Sequence, residues 1–190
     1  MNRDKRIVIL LVGITLLHGL LYVFMIPPWQ HYDEPTHFEM VWLTARLGST
    51  PQSGDIDNDI RREIALSMRE HGFFRDAGFE PPLEANGYVW LGISQMGNRP
   101  LYYYLAAIPV ILFESLGLTY MLYGARLVSL IFLLVSVVAC WGIVAEFTPP
   151  GHRLRLLLPL ALALLPVRLV IHIAAINPIV PQTLIGGNTL

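Results

Sequence analysis

Charged residues and cysteines are both scarce in this chain of 190 residues. Only 14% of the residues are charged, whereas ordinary soluble domains carry about 25%. Together with a hydrophobic content of 54%, this shortage excludes a typical soluble domain and predicts an integral membrane protein. The formal net charge of −1 argues against a nucleic-acid partner. The single cysteine, Cys140, excludes a disulfide within the chain.

Common catalytic and metal-binding motifs are missing as well. The sequence contains no GxSxG, HExxH or CxxC pattern. The stretch "DIDND" at 55–59 resembles the opening of a calcium-binding EF-hand loop. It lacks the glycine at the sixth position of such a loop, and Leu66 stands where the bidentate glutamate belongs. We therefore interpret this stretch as the cap of a helix.

Two long apolar runs predict helices that cross a membrane. Residues 7–26 carry no charge and suffice for a hydrocarbon core of about 30 Å. Arg3, Lys5 and Arg6 precede this run, so the positive-inside rule predicts a cytoplasmic N-terminus. A cleaved signal peptide is the alternative, but its apolar region is usually shorter, and "MIPPW" offers no cleavage site. Residues 127–145 form the second predicted span.

A third, weaker span is predicted over 154–176. Pro159, Pro166 and Arg168 interrupt it, so we expect this helix to be bent or locally unwound. The turn that precedes it carries the basic pair Arg153 and Arg155. The side of the membrane on which this pair lies depends on the number of spans that precede it, and the positive-inside rule favours the cytoplasmic side.

The segment 101–117 leaves two topologies open. Its uncharged run is 101–113, which is short for a span and contains Pro109. If the segment crosses the membrane, the chain has four spans, and Arg153 and Arg155 lie outside. If it lies in the interface or re-enters, the chain has three spans and the basic turn lies inside, as the positive-inside rule favours. We expect an all-α membrane protein with about three spans and one large external loop.

The external loop is predicted to carry juxtamembrane helices. Residues 34–48 read as a helix that Asp33 caps and Gly48 ends, with Phe38 and Trp42 on its apolar face. A second amphipathic helix is predicted over 57–71, and residues 72–99 should be irregular. The predicted organisation has four parts: the N-terminus and first span at 1–26, the external loop at 27–122, the later spans at 123–176, and the start of a second external loop at 177–190.

The stretch "PPWQHYDEPTHFE" at 27–39 places acidic residues directly beyond the first span. With Asp33 at a helix start, His37 lies one turn along on the same side, while Glu34 points elsewhere. A carboxylate and an imidazole placed together can abstract a proton or bind a divalent cation. The alternative interpretation is that Asp33 is only an N-cap, because an acid at a helix start needs no catalytic reason.

Two further side chains near the end of the third span are candidates for ligand binding. Arg168 and His172 lie one helical turn apart. Charges at membrane depth are often functional, and a phosphate-bearing lipid would suit this arginine. Snorkelling of the arginine to the lipid headgroups is the alternative.

The order of these features resembles the N-terminal part of a known enzyme family. The first span is followed by "YDEPTHFEMVWLTARLG", then by "NRPLYYYLAAIPV", then by "YGARLVSLIFLLVSVVACWGIVAEF". This order resembles membrane glycosyltransferases of the GT-C fold, which include protein O-mannosyltransferases and lipid A aminoarabinose transferases. It is most similar to bacterial membrane proteins with a "PPDEPAHF"-like signature. The resemblance covers nearly the whole chain, and the short acidic motif carries most of its specificity.

The resemblance implies transfer of a sugar from a polyprenyl-phosphate donor at the outer face of the bacterial inner membrane. The acceptor would be a lipid, a glycan or a protein. Asp33 becomes the base or the carboxylate associated with a divalent cation, Mg or Mn, and Glu34 is its catalytic neighbour. The expected substrate-binding side chains are His37, Tyr102, Arg168 and His172.

The sequence departs from this family at two points. Many relatives have a second acid in the next external loop, where this chain has Asn177 and no Asp or Glu. The family fold also has at least about twice as many spans, so we expect a fragment that is poorly placed to catalyse alone. The alternative function is that of a non-catalytic membrane subunit, or of a lipid-binding or transport protein.

Overall fold

The computed structural model describes residues 3–31, 33–75, 82–84 and 87–164, and the regular elements among them are helical. Their bounds are α1 Arg3–Met25, α2 Glu34–Leu47, α3 Asn58–Glu70, α4 Leu101–Phe113, α5 Leu118–Phe147 and α6 Leu154–Leu164. A short 3₁₀ turn, Glu114–Leu116, joins α4 to α5. The prediction of an all-α fold is confirmed for this part of the chain.

Two of the helices, α1 and α5, are long and apolar enough to cross a membrane. They contain 23 and 30 residues; α1 covers the run predicted at 7–26 except its last residue, and α5 includes the run predicted at 127–145. By contrast, α4 and the described part of the third predicted span, α6, are shorter apolar helices of 13 and 11 residues. The remainder of that span and the segment 177–190 lie outside the described residues.

An ion pair fixes the relative direction of α1, α5 and α6. Arg155, at the start of α6, donates from Nη1 to Asp4 Oδ2 in the first turn of α1, over 2.8 Å. Its Nη2 also donates to the carbonyl oxygen of Ala145, near the end of α5, over 2.8 Å. These bonds satisfy a late carbonyl of α5, which has no partner within its own helix. The basic N-terminus and the basic α5–α6 turn therefore lie at the same end of the bundle.

The helices α1 and α5 approach closely where α1 carries a glycine. A Cβ atom on Gly19 would overlap with Cδ1 of Leu130, which is itself buried. Small residues at such crossings let membrane helices pack backbone against side chain. The buried apolar residues of this layer form one cluster: Leu11, Val23, Leu130, Leu133, Val137 and Ala163.

At the opposite end of the bundle, α2, α3 and α4 form a second layer. As predicted, α2 ends at Gly48, whose φ of 63° lies in the left-handed region that glycine adopts readily. As predicted, α3 buries Ile60, Ile64 and Met68, and Asp57 caps it by accepting from the amide of Asp59 over 3.1 Å. The described residues between α3 and α4 contain no helix, in agreement with the predicted irregular segment.

The helix α4 joins the two layers. It packs on α2 through the buried Tyr103, and on the first half of α5, where a Cβ on Gly124 would lie 2.9 Å from Pro109 Cβ. Its other face, which includes Ile108, Ile111 and Leu112, is exposed and apolar. This face suits contact with lipid in either of the two predicted topologies.

We predict that Gly19→Val destabilises the bundle, because the added atoms must displace Leu130 from a close-packed position. Overpacking of this kind costs about 1–3 kcal/mol. The free energy of unfolding, measured by denaturant titration in detergent micelles, tests this. Gly13→Val is the matched control, because Gly13 lies in the same helix with open space around its Cβ position. Equal stability of the two variants would contradict the close approach of α1 and α5.

Candidate functional site

A buried ion pair between Glu34 and Arg126 joins the start of α2 to α5. Arg126 Nε donates to Glu34 Oε1 over 2.7 Å, and Arg126 Nη2 donates to Oε2 over 2.9 Å. Both side chains are fully buried. The two parallel bonds form the bidentate geometry that makes arginine–carboxylate pairs both strong and directional.

The same arginine also closes the end of α1. Its Nη1 donates to the carbonyl oxygens of Val23 and Ile26 over 3.1 and 2.7 Å, and its Nη2 donates to that of Pro27 over 3.1 Å. These carbonyls lie in or just beyond the last turn of α1, where intrahelical partners run out. With the two bonds to Glu34, every N–H of the guanidinium has an acceptor. Arg126 therefore binds α1, α2 and α5 together at one point.

The chain between α1 and α2 is fixed by the same carboxylate. Glu34 Oε2 accepts from the backbone amide of Trp29 over 2.8 Å. Trp29 has a φ of 66°, which is unusual for a bulky residue. Its buried ring packs edge-on against Phe38, and its Nε1 donates to Ser67 Oγ over 2.9 Å. The connection that leads to Asp33 is thus held at several points along its length.

The carboxylate of Asp33 lies between two imidazoles. Its Oδ1 contacts His31 Nδ1, and its Oδ2 lies 3.5 Å from His37 Nε2. The predicted pairing of Asp33 with His37 on one side of the helix is confirmed. About 16% of the Asp33 side chain is exposed, so the carboxylate is partly accessible from solvent.

The predicted capping role of Asp33 is wrong at the level of its side chain. Asp33 occupies the N-cap position, but its carboxylate makes no bond to the first turn of α2. The reason is that His31 and His37 take both oxygens. The backbone carbonyl of Asp33 instead accepts from Thr36 Oγ1 over 2.9 Å.

The histidines decide the ionisation of Asp33. Burial by itself would raise the pKa of this carboxyl, but hydrogen bonds and charge interactions with His31 and His37 outweigh burial and hold the pKa well below its usual range. Asp33 is therefore ionised at neutral pH.

A chain of polar side chains continues from His37 to the segment before α4. Tyr103 OH lies 2.8 Å from His37 Nδ1 and accepts from Asn98 Nδ2 over 3.2 Å. Asn98 Nδ2 also donates to Gln95 Oε1 over 2.7 Å. Gln95 in turn donates from Nε2 to Thr36 Oγ1 over 3.2 Å, back on α2. These bonds tie the first turn of α2 to the segment before α4 and fix the orientation of His37.

The structure brings together only some of the residues expected in the site. Asp33 and His37 meet, and Glu34 points away from them, as predicted. The sequence did not predict the pair that Glu34 makes with Arg126. Tyr102 is fully buried and directed at α5, where its hydroxyl lies 2.9 Å from Ser129 Oγ. Arg168, His172 and Asn177 lie outside the described residues.

Sequence reasoning missed the other members of the cluster, which are His31, Tyr103, Asn98 and Gln95. The tyrosine triplet at 102–104 pointed to the correct turn of α4 but not to the correct tyrosine. No sequence signal distinguishes Asn98 or Gln95 from ordinary loop residues. In the described part of the chain, no group of three or more His, Cys, Asp or Glu side chains could hold a metal ion. The expected divalent cation stays a prediction.

An apolar groove runs along the exposed side of α4, where that helix meets α5. It has a volume of about 540 Å³ and almost purely apolar walls. Ile108 and Leu112 line it from α4, and Leu127 and Ile131 line it from α5. Its composition suits a hydrocarbon chain.

Comparisons of this chain with protein-family models, with curated proteins and with solved structures find no match. The site is therefore interpreted from its own geometry.

We predict that Arg126→Leu lowers the free energy of unfolding by about 3–5 kcal/mol, because it leaves the Glu34 carboxylate buried without a counter-charge. The matched control is Arg62→Leu on α3. Arg62 is half-exposed and pairs with Asp59 and Glu84 over 3.3 and 2.9 Å. Loss of such a solvent-screened surface pair should leave the free energy of unfolding nearly unchanged. Denaturant titration in detergent measures the free energy of unfolding of both variants. An equal decrease in the two would show that the fold does not depend specifically on Arg126.

Proposed function

We propose that this chain belongs to a membrane glycosyltransferase that moves a sugar from a polyprenyl-phosphate donor to an acceptor at the outer face of the bacterial inner membrane. The observation that carries the proposal is the ionised carboxylate of Asp33, held between His31 and His37 a few residues beyond the first candidate span. The resemblance of "YDEPTHFEMVWLTARLG" to the acidic segment of GT-C enzymes agrees with this position.

The chemistry of transfer needs a group of this kind. A sugar that leaves a phosphate develops positive charge at its anomeric carbon, and the acceptor hydroxyl must lose a proton. An ionised carboxylate stabilises that positive charge and accepts a hydrogen bond from the acceptor. A carboxyl with a lowered pKa is a weak proton acceptor by itself. In our proposal the acceptor hydroxyl therefore gives its proton to the Asp33–His37 pair, its oxygen bonds to the anomeric carbon, and the polyprenyl phosphate leaves with the electron pair of the broken C–O bond. Tyr103 holds the imidazole of His37 in place.

Glu34 is assigned a positioning role in this proposal. Its two oxygens accept from Arg126 and from the amide of Trp29, and the residue has no exposed surface. A carboxylate in this environment fixes the start of α2, from which Asp33 projects. The protein residues that contact the donor sugar would then include Asp33 but not Glu34.

The remaining parts of the proposal concern the membrane. We place the N-terminus and the α5–α6 turn in the cytoplasm, because the basic residues Arg3, Arg6 and Arg153 gather at that end. Asp33 then lies outside. The apolar groove between α4 and α5 offers a place for the lipid part of the donor. A divalent cation near Asp33 would neutralise the phosphate of the donor.

A non-catalytic membrane subunit is the second candidate function. The observation that favours it is the pairing of both Asp33 oxygens with histidines, since this gives the acid a purely structural explanation. The two candidates differ in what happens when the charge of Asp33 is removed but its shape is kept.

We predict that Asp33→Asn lowers sugar transfer by about 100- to 10,000-fold, the usual cost of losing an acid–base group. The assay follows transfer of radiolabelled hexoses and pentoses from polyprenyl-phosphate carriers in membranes that contain the full chain. Asp59→Asn is the matched control, because Asp59 is a fully exposed carboxylate in the same external region. Full transfer by the Asp33→Asn protein would remove the main support for the enzyme and leave the subunit as the better account.

A further inference from the structure

An uncharged segment, residues 87–98, lies between α3 and α4. Its sequence, "GYVWLGISQMGN", contains no Asp, Glu, Lys or Arg. The external region from which it comes, residues 27–99, is otherwise rich in charge, with 11 acidic residues and 6 arginines. The absence of charge from this one segment therefore needs a local explanation.

Large apolar side chains of the segment point outward. Val89 and Leu91 are buried, whereas Tyr88, Trp90 and Ile93 are 41%, 58% and 84% exposed. Residues 88–91 alternate as in an extended chain with one face on the protein core, and a bend at Gly92 and Ile93 then turns the Ile93 side chain outward as well. The outward face presents two aromatic rings and an aliphatic tip.

Contacts with α2 and α3 hold the segment in place. Arg61, on α3, donates from Nη1 to the carbonyl oxygen of Val89 over 3.2 Å, and its guanidinium stacks 4.6 Å from the ring of Tyr88. Gly92 approaches α2 so closely that a Cβ atom there would lie 3.1 Å from Thr36 Cγ2. Because these contacts fix the backbone of the segment, they hold the side chains of Trp90 and Ile93 in exposed positions.

We propose that Tyr88, Trp90 and Ile93 insert into the headgroup–hydrocarbon boundary of the membrane on the side of Asp33. Tyrosine and tryptophan prefer this boundary, and a segment that enters it is expected to lack charge. The segment continues through Arg99 and Pro100 into α4, whose exposed face is also apolar. An aliphatic tip such as Ile93 fits hydrocarbon better than it fits a sugar ring.

The inserted segment sets the height of the candidate site above the membrane. Gly92 and Gln95 both contact Thr36 in the first turn of α2, and the Thr36 hydroxyl binds the carbonyl of Asp33. The membrane surface is thereby coupled to the backbone that carries Asp33. The inference rests on the membrane location given under the proposed function, but not on sugar transfer, so either can fail while the other stands.

The test uses an environment-sensitive fluorophore attached to a cysteine at position 93, in a Cys140→Ser background. The full chain is reconstituted in vesicles of phosphatidylethanolamine and phosphatidylglycerol. One set of vesicles contains a lipid with a nitroxide near the headgroup, and iodide is added to the water phase of another. Ile56→Cys is the matched control, because Ile56 is also an exposed isoleucine of the external region but is flanked by Asp55 and Asp57.

We expect the nitroxide lipid to quench the label at position 93 about twofold more than the label at 56, and iodide to show the reverse order. Both substituted side chains are exposed, so both proteins should fold, and gel filtration in detergent checks this. Equal quenching by iodide at the two positions would overturn the proposal. Protection of position 93 that appears only after a polyprenyl phosphate is added would also overturn it, because the segment would then belong to a ligand site.

Discussion

The guanidinium of Arg126 is the point on which the described structure depends. It lies at the start of the apolar part of α5, is fully buried, and uses its five N–H groups on the carboxylate of Glu34 and on three carbonyl oxygens at the end of α1. A buried charge is costly unless it is fully paired, so the geometry tolerates little displacement of any partner. Two helices long enough to span a membrane, α1 and α5, are thereby fixed to α2 and to one another.

The position of Asp33 follows from this junction. Glu34 is held by Arg126, so the residue before it must leave the junction toward the surface, where His31 and His37 receive its carboxylate. Neighbouring acids in the sequence consequently have opposite environments. Glu34 is neutralised by Arg126 and inaccessible, whereas Asp33 is ionised, partly exposed and close to the end of a candidate span. In the proposed chemistry only Asp33 acts on the substrate, and Glu34 keeps Asp33 in place by fixing the start of α2.

Local signals in the sequence sufficed for the helices but not for the site. The end of α2 at Gly48, the cap of α3 at Asp57 and the apolar stripe of α3 depend on residues a few positions apart, and these predictions are confirmed. The pair of Glu34 with Arg126 joins residues that are 92 positions apart. In the sequence Arg126 is simply the charge that flanks an apolar run. The capping prediction for Asp33 was wrong because it considered only the backbone of α2, whereas His31 offered the carboxylate a competing partner.

The most direct test of this account is the side of the membrane on which each end of the bundle lies. In a Cys140→Ser background, single cysteines at Ser53 and His152, both exposed, are treated in intact cells with a membrane-impermeant thiol reagent. The account predicts that the cysteine at position 53 is labelled and that the one at 152 is labelled only after the cells are permeabilised. Labelling of position 152 from outside, or shielding of position 53, would contradict it, because Asp33 and the turn between α5 and α6 could not then occupy opposite faces as the proposal requires.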